Sequence, residues 1–308
     1  MIEQHYPKHS SAKDSFGPEA AVWTYVERPS KDEIRQITGD FGVGSRFVHD
    51  ALDRDEIPRV ESDGTYTYII TRFAYESAPG DIQTTPILFA LNHTHVVTIS
   101  SERLPGLEAI LPDGEHPVES KNPILIMLNI LLQIDAEYDR FLHSSTKKIR
   151  HLRDRLGTHE VGPTQFIDFV HIEGDMNDFL SSLQPTNTML EHLLTGSSNR
   201  SFADHRELVE VVILNNNQSI QTCEANLKAI TSIRRTYALI SAHRLDRTIK
   251  ILTLASVFIS IPTMFFSMYG MNVGLPWQKH RGAFESLLVL CVITVLAAYI
   301  TGRKKHIF

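Results

Sequence analysis

The residues best placed to do chemistry sit inside an apolar stretch. Ser256, Ser260, Thr263, Ser267 and Gly270 recur at steps of four, three, four and three, which keeps them on one face of a helix. Leu254, Val257, Phe258, Ile261, Phe265 and Phe266 take the other faces. A stripe of hydroxyls through an uncharged segment needs either a packed helix interface or a wetted lumen. Pro262, in its middle, frees a backbone carbonyl and favours a wall that is buried or faces water. Asn272 follows, with an amide that can accept from or donate to the water shell of a cation. Mg²⁺ holds that shell tightly and prefers octahedral oxygen, so neutral oxygens can select the hydrated ion without stripping it. Gly270 removes side-chain bulk beside Asn272, and Met271 reads as packing. Near the other end of the stretch, Ile249 and Leu252 suit an apolar collar that closes by dewetting.

These residues must be held by membrane helices. Residues 251–271 carry no charged side chain, and about 20 apolar residues cross a ~30 Å hydrocarbon core. A second run, 286–302, extends back through Ala283 and Phe284. Arg244, Arg247 and Lys250 precede the first span, and Arg303, Lys304 and Lys305 follow the second. Positive charge at both outer flanks predicts that both termini are cytoplasmic, in a multi-pass protein of the plasma (inner) membrane, with the short loop outside. Lys279 and Arg281 in that loop weaken this bias without reversing it.

Before the spans the pattern changes. Residues 21–27, 66–76, 84–90 and 95–100 read as strands, with turns at Asp63-Gly64 and at residues 91–94. Ser30 and Glu33 form a capping-box pattern. From Pro123 the chain reads as helical. One helix covers 124–156, a second covers 166–183 and stops near Pro185, and a short third reaches Gly196. A last helix, from about Asp204 to Met271, has no Gly or Pro before Pro262. The expected fold class is therefore an α/β cytoplasmic domain, then a long helical stalk, then two C-terminal transmembrane helices. In residue numbers this is an α/β domain 1–120, a helical part 121–200, stalk 201–250, first span 251–272, outer loop 273–282, second span 283–302 and basic tail 303–308.

Composition narrows the function. The chain has 30 basic and 36 acidic residues. Seven of the basic and two of the acidic lie after Leu245, which leaves 23 against 34, or −11, in the soluble part and +5 in the membrane part. An acidic body argues against nucleic acid as partner. Cys223 and Cys291 give no disulfide framework, residues 1–15 carry no apolar signal region, and no phosphate-binding GxxxxGK[ST] occurs, so neither nucleotide nor organic cofactor is expected. No Ser/His/Asp or HExxH pattern suggests an enzyme. His93-Thr94-His95 has metal-like spacing on a strand, but its place at a turn favours an exposed hairpin tip.

Tyr269-Gly270-Met271-Asn272, closing the first of two C-terminal spans behind a large N-terminal domain, resembles the signature of the CorA family of magnesium transporters. Trp23-Thr24-Tyr25-Val26, Pro29-Ser30-Lys31-Asp32-Glu33, Phe41-Gly42 and Ile57-Pro58-Arg59-Val60 resemble that family's N-terminal domain. The resemblance implies a homopentamer in a lipid bilayer that admits Mg²⁺, and also Co²⁺ or Ni²⁺, down its electrochemical gradient. It implies Gly270, Met271 and Asn272 as the filter and Asp246 at a polar ring near the exit. It also implies Mg²⁺ as a regulatory ligand between cytoplasmic domains, for which Glu207, Glu210, Asp175 and Asp178 are the candidate acids. One departure is plain. The outer loop lacks the Met-Pro-Glu-Leu element of many members and has no carboxylate before Glu285. That keeps a zinc transporter of the related ZntB branch open as an alternative. A membrane-tethered sensor or scaffold that conducts nothing is another.

Overall fold

The computed structural model describes residues 2–5, 23–107, 122–156, 163–195, 200–274 and 281–304. The chain divides into two compact units, Met1–Ser232 and Ile233–Phe308.

The first unit is built on one six-stranded sheet. Strands β1 (Ile2–His5), β2 (Trp23–Glu27), β3 (Arg59–Ser62), β4 (Thr67–Ala78), β5 (Asp81–Leu91) and β6 (Val96–Ser100) lie in the order β1-β2-β6-β5-β4-β3. β2 and β6 are parallel and every other pair is antiparallel. Helices α1 (Lys31–Asp40) and α2 (Ser45–Leu52) cross between β2 and β3. Their Ile37, Phe47, Val48 and Ala51 pack with Val26, Tyr68, Ile70, Leu88 and Val97 in one core. Helices α3 (Pro123–Leu156) and α4 (Pro163–Thr195) pack against β4 and β5. Covered on both faces, β6 is buried throughout, as sheets lined by helices on both sides tend to be.

Local chemistry explains the turns. Ser30 caps α1 as expected: its Oγ accepts from Glu33 N at 3.3 Å, and Ser30 N donates to the Glu33 carboxylate at 2.8 Å. At the Asp63-Gly64 turn, Asp63 accepts from the amides of Thr65 and Tyr66 and from the Tyr68 hydroxyl, and Gly64 takes φ +90°. Asn92 closes the 91–94 turn by accepting from Thr94 N and His95 N at 2.9 and 2.7 Å.

Two strands go beyond the sequence expectation, and one helix boundary corrects it. β1 and β3 are both paired strands, although their short polar sequences carry no alternation strong enough to mark them. The helix expected to stop near Pro185 continues to Thr195, so there is no separate third helix: α4 runs through the proline. A proline inside a helix costs the bond to residue i−4. Here the bond forgone is the one to Ser181 O, at an exposed position, and tertiary contacts of the buried face offset the cost. Thr186 Oγ1 donates to Ser182 O at 2.8 Å and meets Thr71 Oγ1 of β4 at 2.9 Å. Asn216 Nδ2 donates to Leu183 O at 2.8 Å. Phe179, Leu183, Met189 and Leu190 are buried on either side of the proline.

After the short helix α5 (Arg200–Ala203), the 64-residue α6 (Arg206–Tyr269) runs from the first unit into the second. Its bounds agree with the single long helix expected from the sequence. Helix α7 (Ala283–Lys304) completes the second unit.

Candidate functional site

In the second unit, α6 and α7 are long and apolar enough to cross a membrane, and none of the most apolar stretch of α6 is buried. A core helix of a soluble protein is instead buried. Phe258 meets Tyr299, and Phe266 meets Phe284, each pair with ring centroids 6.5 Å apart. Phe258 is three turns below Tyr269 on α6 and Tyr299 is late in α7, so the two helices run antiparallel. Leu254, Phe258, Ile261, Pro262, Phe265 and Tyr269 are the half-buried positions of upper α6. They form the seam on α7, together with buried Leu287 and Cys291.

Ser256, Ser260, Thr263 and Ser267 are all exposed in the protomer. At about 100° per residue they lie roughly opposite the seam on α7. Ile249 and Leu252 fall on the same open face and are 52% and 67% exposed. Asp246 is exposed one turn earlier. Helix α7 therefore leaves uncovered the one face of α6 that carries polar groups.

Three of these hydroxyl protons are already committed. Ser256 Oγ donates to Leu252 O at 2.9 Å, Ser260 Oγ to Ser256 O at 2.7 Å and Thr263 Oγ1 to Ile259 O at 2.7 Å. Each oxygen then turns lone pairs outward as acceptors. The water shell of a cation presents hydrogens, so such a face matches a hydrated cation better than an anion.

The top of the helix ends in a tight turn. Gly270 N donates to Phe266 O at 3.0 Å and to Ser267 O at 3.1 Å, and Met271 N to Met268 O at 3.3 Å. Met271 and Asn272 are exposed beyond it. A Cβ on Gly270 would lie 3.5 Å from the carbonyls of Phe266 and Ser267, an ordinary contact. Within one protomer, nothing forces glycine there.

Within one protomer the four acids expected as sensors do not meet. Asp175 and Asp178 share a turn of α4 and line a cavity of about 720 Å³ with Arg72, Asp81 and His171. Burial, and then Asp178, push the Asp175 carboxyl up to about 6. Glu207 and Glu210 lie outside that cavity on α6, and Glu210 is paired with Arg206 at 2.7 Å. Among the described residues no three His, Cys, Asp or Glu side chains are grouped to hold a metal. His93 and His95 also part company: the turn exposes His93 and buries His95 against Phe41.

One acid escaped the sequence reading. Asp135, on α3, is 8% exposed, and its Oδ2 has no hydrogen-bond partner among the described residues. Burial pushes its carboxyl up to about 8, against a hydrogen bond from Asn215 that lowers it. The available signal was a lone carboxylate closing an apolar run, residues 124–135.

A sheet domain whose long helix continues into a pair of helices apolar enough to cross a membrane is the architecture of a membrane protein. The family described as CorA-like Mg²⁺ transporter protein matches residues 18–304, and the chain belongs to that family. The cobalt/magnesium transport protein CorA of Methanocaldococcus jannaschii is 22% identical over 95% of this chain and 93% of its own. The complete structure of the CorA magnesium transporter from that organism superposes with a TM-score of 0.83, at 20% identity, over 98% of this chain and 97% of its own. The full-length CmaX protein gives a TM-score of 0.74 at 14% identity, over 96% and 92%. At those identities the structures speak for the fold.

Proposed function

We propose that the protein is a magnesium channel in which copies of α6 surround a pore lined by Ser256, Ser260, Thr263 and Ser267. The observation that carries this reading is that α7 covers the opposite face of α6 and leaves the hydroxyls open. One helix cannot enclose a lumen, so the reading requires several copies of the chain. A homopentamer, with both termini cytoplasmic in the plasma (inner) membrane, is the assembly the family resemblance favours.

Each segment then has a task. Asn272, with Gly270 and Met271 holding the turn beneath it, meets the hydrated ion at the outer mouth. The hydroxyl oxygens accept from its water shell along the span. Ile249 and Leu252 close the cytoplasmic end when the collar dewets. Asp246 draws cations to the exit. An inside-negative membrane supplies about 2.3 kcal/mol per charge per 100 mV, roughly twice that for a divalent ion, so no nucleotide or organic cofactor is required. Cytoplasmic Mg²⁺ at Asp175 and Asp178, or at Glu207 and Glu210, is the proposed gating ligand. The 720 Å³ cavity favours the first pair.

A second reading, zinc transport, is favoured by the outer loop, which has no carboxylate before Glu285 and carries Lys279 and Arg281. Flux of Mg²⁺, Co²⁺, Ni²⁺ and Zn²⁺ into proteoliposomes separates the two. Mg²⁺ flux, with or without Co²⁺ and Ni²⁺, supports the channel as proposed. Zn²⁺ flux without Mg²⁺ flux replaces it with the zinc reading. Absence of any flux from well-folded protein leaves a membrane-tethered scaffold.

A further inference from the structure

Asp135 and Asp139 stand one turn apart on α3, and Asn215 and Ser219 stand one turn apart on α6. With Gln218 and the apolar Leu132 and Ala136 they line a cavity of about 260 Å³ inside the first unit. Every polar side chain in that lining offers oxygen, and none is His, Cys, Lys or Arg. Asp139 and Gln218 are exposed, so the cavity reaches solvent, whereas Asp135 is more than nine-tenths buried with Oδ2 unpartnered. Apart from the hydrogen bond from Asn215, the Asp135 carboxyl has no partner among the described residues, and no cationic side chain lines this cavity to offset the cost of burying it.

We propose that this cavity is a binding site for a hard divalent cation of the Mg²⁺ class, held within a single protomer by Asp135 and Asp139 with amide and hydroxyl oxygens from Asn215, Gln218 and Ser219. Carboxylate, amide and hydroxyl oxygens suit Mg²⁺, Mn²⁺ and Ca²⁺, while the missing nitrogen and sulfur donors disfavour Zn²⁺ and Cu²⁺. Mg²⁺ keeps several waters and takes one or two carboxylates. A cavity with two carboxylates, three neutral donors and room for water meets that requirement. None of Asp175, Asp178, Glu207 and Glu210 lines it. The site joins α3 to α6, so its occupant ties the sheet-covering helix to the helix that continues into the second unit. It stands whichever ion crosses the membrane, because binding is read without transport.

The experiment counts Mn²⁺ bound to chelator-stripped full-length protein in detergent, by the electron paramagnetic resonance signal of free Mn²⁺, with Mg²⁺ as competitor. Asp135→Asn keeps the side-chain volume and removes the charge. It is expected to bind one fewer Mn²⁺ per protomer than wild type. Asn215→Leu, on the opposing helix, is expected to show the same loss, and covers the case in which Asp135→Asn fails to fold. Asp178→Asn, in a different cavity, is expected to leave this site filled. Anomalous scattering from Mn²⁺-soaked crystals should put a peak between α3 and α6 in every protomer. An undiminished Mn²⁺ count in whichever of the two variants folds, no peak there, or Mn²⁺ that Mg²⁺ does not displace each overturns the proposal.

Discussion

The two halves of α6 use the same residue types in opposite ways. In the first unit its two buried asparagines, Asn216 and Asn226, hydrogen-bond to neighbouring helices. Asn226 exchanges hydrogen bonds with Thr146 of α3 at 3.0 and 3.2 Å. Asn216 donates to Leu183 O and to Asn187 Oδ1 of α4. In the second unit Ser256, Ser260 and Thr263 bond only to their own helix backbone and are otherwise exposed. Partnered polar groups in a core specify how helices pack. Polar groups with no tertiary partner, in an apolar helix, wait for something outside the protomer. The contrast separates the structural polar residues of this chain from those available to a passing ion.

The largest effect expected on the open half comes from its outer end. Asn272→Ala should reduce Mg²⁺ influx into proteoliposomes to background without lowering the melting temperature, since the side chain is exposed. Influx equal to wild type would remove Asn272 from the filter. On the closed half the readouts reverse. Asn226→Leu removes the bond that Thr146 Oγ1 accepts, leaving it only its donation to Leu142 O at 2.8 Å, and should cost about 1 kcal/mol or more of stability. Adding Thr146→Val should recover part of that cost, because replacing both partners by apolar groups is far cheaper than orphaning one. Ser260→Ala, in contrast, should stay within about 0.5 kcal/mol of wild type while changing flux. Chemical unfolding together with flux on the same preparations checks both halves. A Ser260→Ala variant as destabilised as Asn226→Leu would break the contrast.

Much of this was legible in the sequence, for identifiable reasons. The strands from β4 to β6, the capping box and both marked turns follow from alternation and from Ser, Asn, Asp and Gly at fixed offsets. The long helix follows from an absence of breakers. The hydroxyl stripe follows from helical period, although its position opposite α7 depends on which faces the two helices share. What escaped was non-local. β1 is a strand because β2 offers it an edge. Pro185 lies within a helix because Thr186 and Leu183 beside it are tied to Thr71 of β4 and Asn216 of α6. Asp135 became visible only once α6 was set beside α3, since its neighbour Asn215 is 80 positions away. Sensor acids are hard to choose by sequence for the same reason: surface carboxylates carry no local mark of partners, and for a site between copies of the chain those partners lie outside the protomer.

A smaller effect sharpens the closed side of the comparison. His95 is buried with Nε2 unpartnered among the described residues, and burial alone holds its imidazole below the ordinary value of 6.5. Between the lowered folded value and 6.5 the unfolded chain binds the extra proton. Stability therefore rises with pH through that window, is complete above 6.5, and is lost on acidification until the folded-state value is passed, with a slope of at most about 1.4 kcal/mol per pH unit. His95→Phe should abolish this component. Asp175 and Asp135, both pushed up, contribute the opposite slope, so the informative quantity is wild type minus variant in unfolding experiments from pH 5 to 7. A difference that does not vary with pH would mean that His95 titrates as an exposed histidine does.

The smallest effect on stability is expected at Gly270, and there the contrast between the two halves is most exposed to failure. Its φ is not among the positive values, which among glycines belong to Gly42, Gly64, Gly80 and Gly106. An added Cβ meets only the carbonyls of Phe266 and Ser267 at ordinary contact distance. Alanine also favours the helical turn that ends there by up to about 1 kcal/mol. Gly270→Ala should therefore melt at or slightly above the wild-type temperature. If the open face of α6 meets other copies of itself around an ion, the same methyl group intrudes where they converge, and flux should fall although stability does not. Normal flux from a stable Gly270→Ala variant would show that the end of α6 tolerates bulk on all sides, and that the helices do not approach one another at the proposed filter. Loss of both flux and stability would place the constraint inside the protomer, where none is visible.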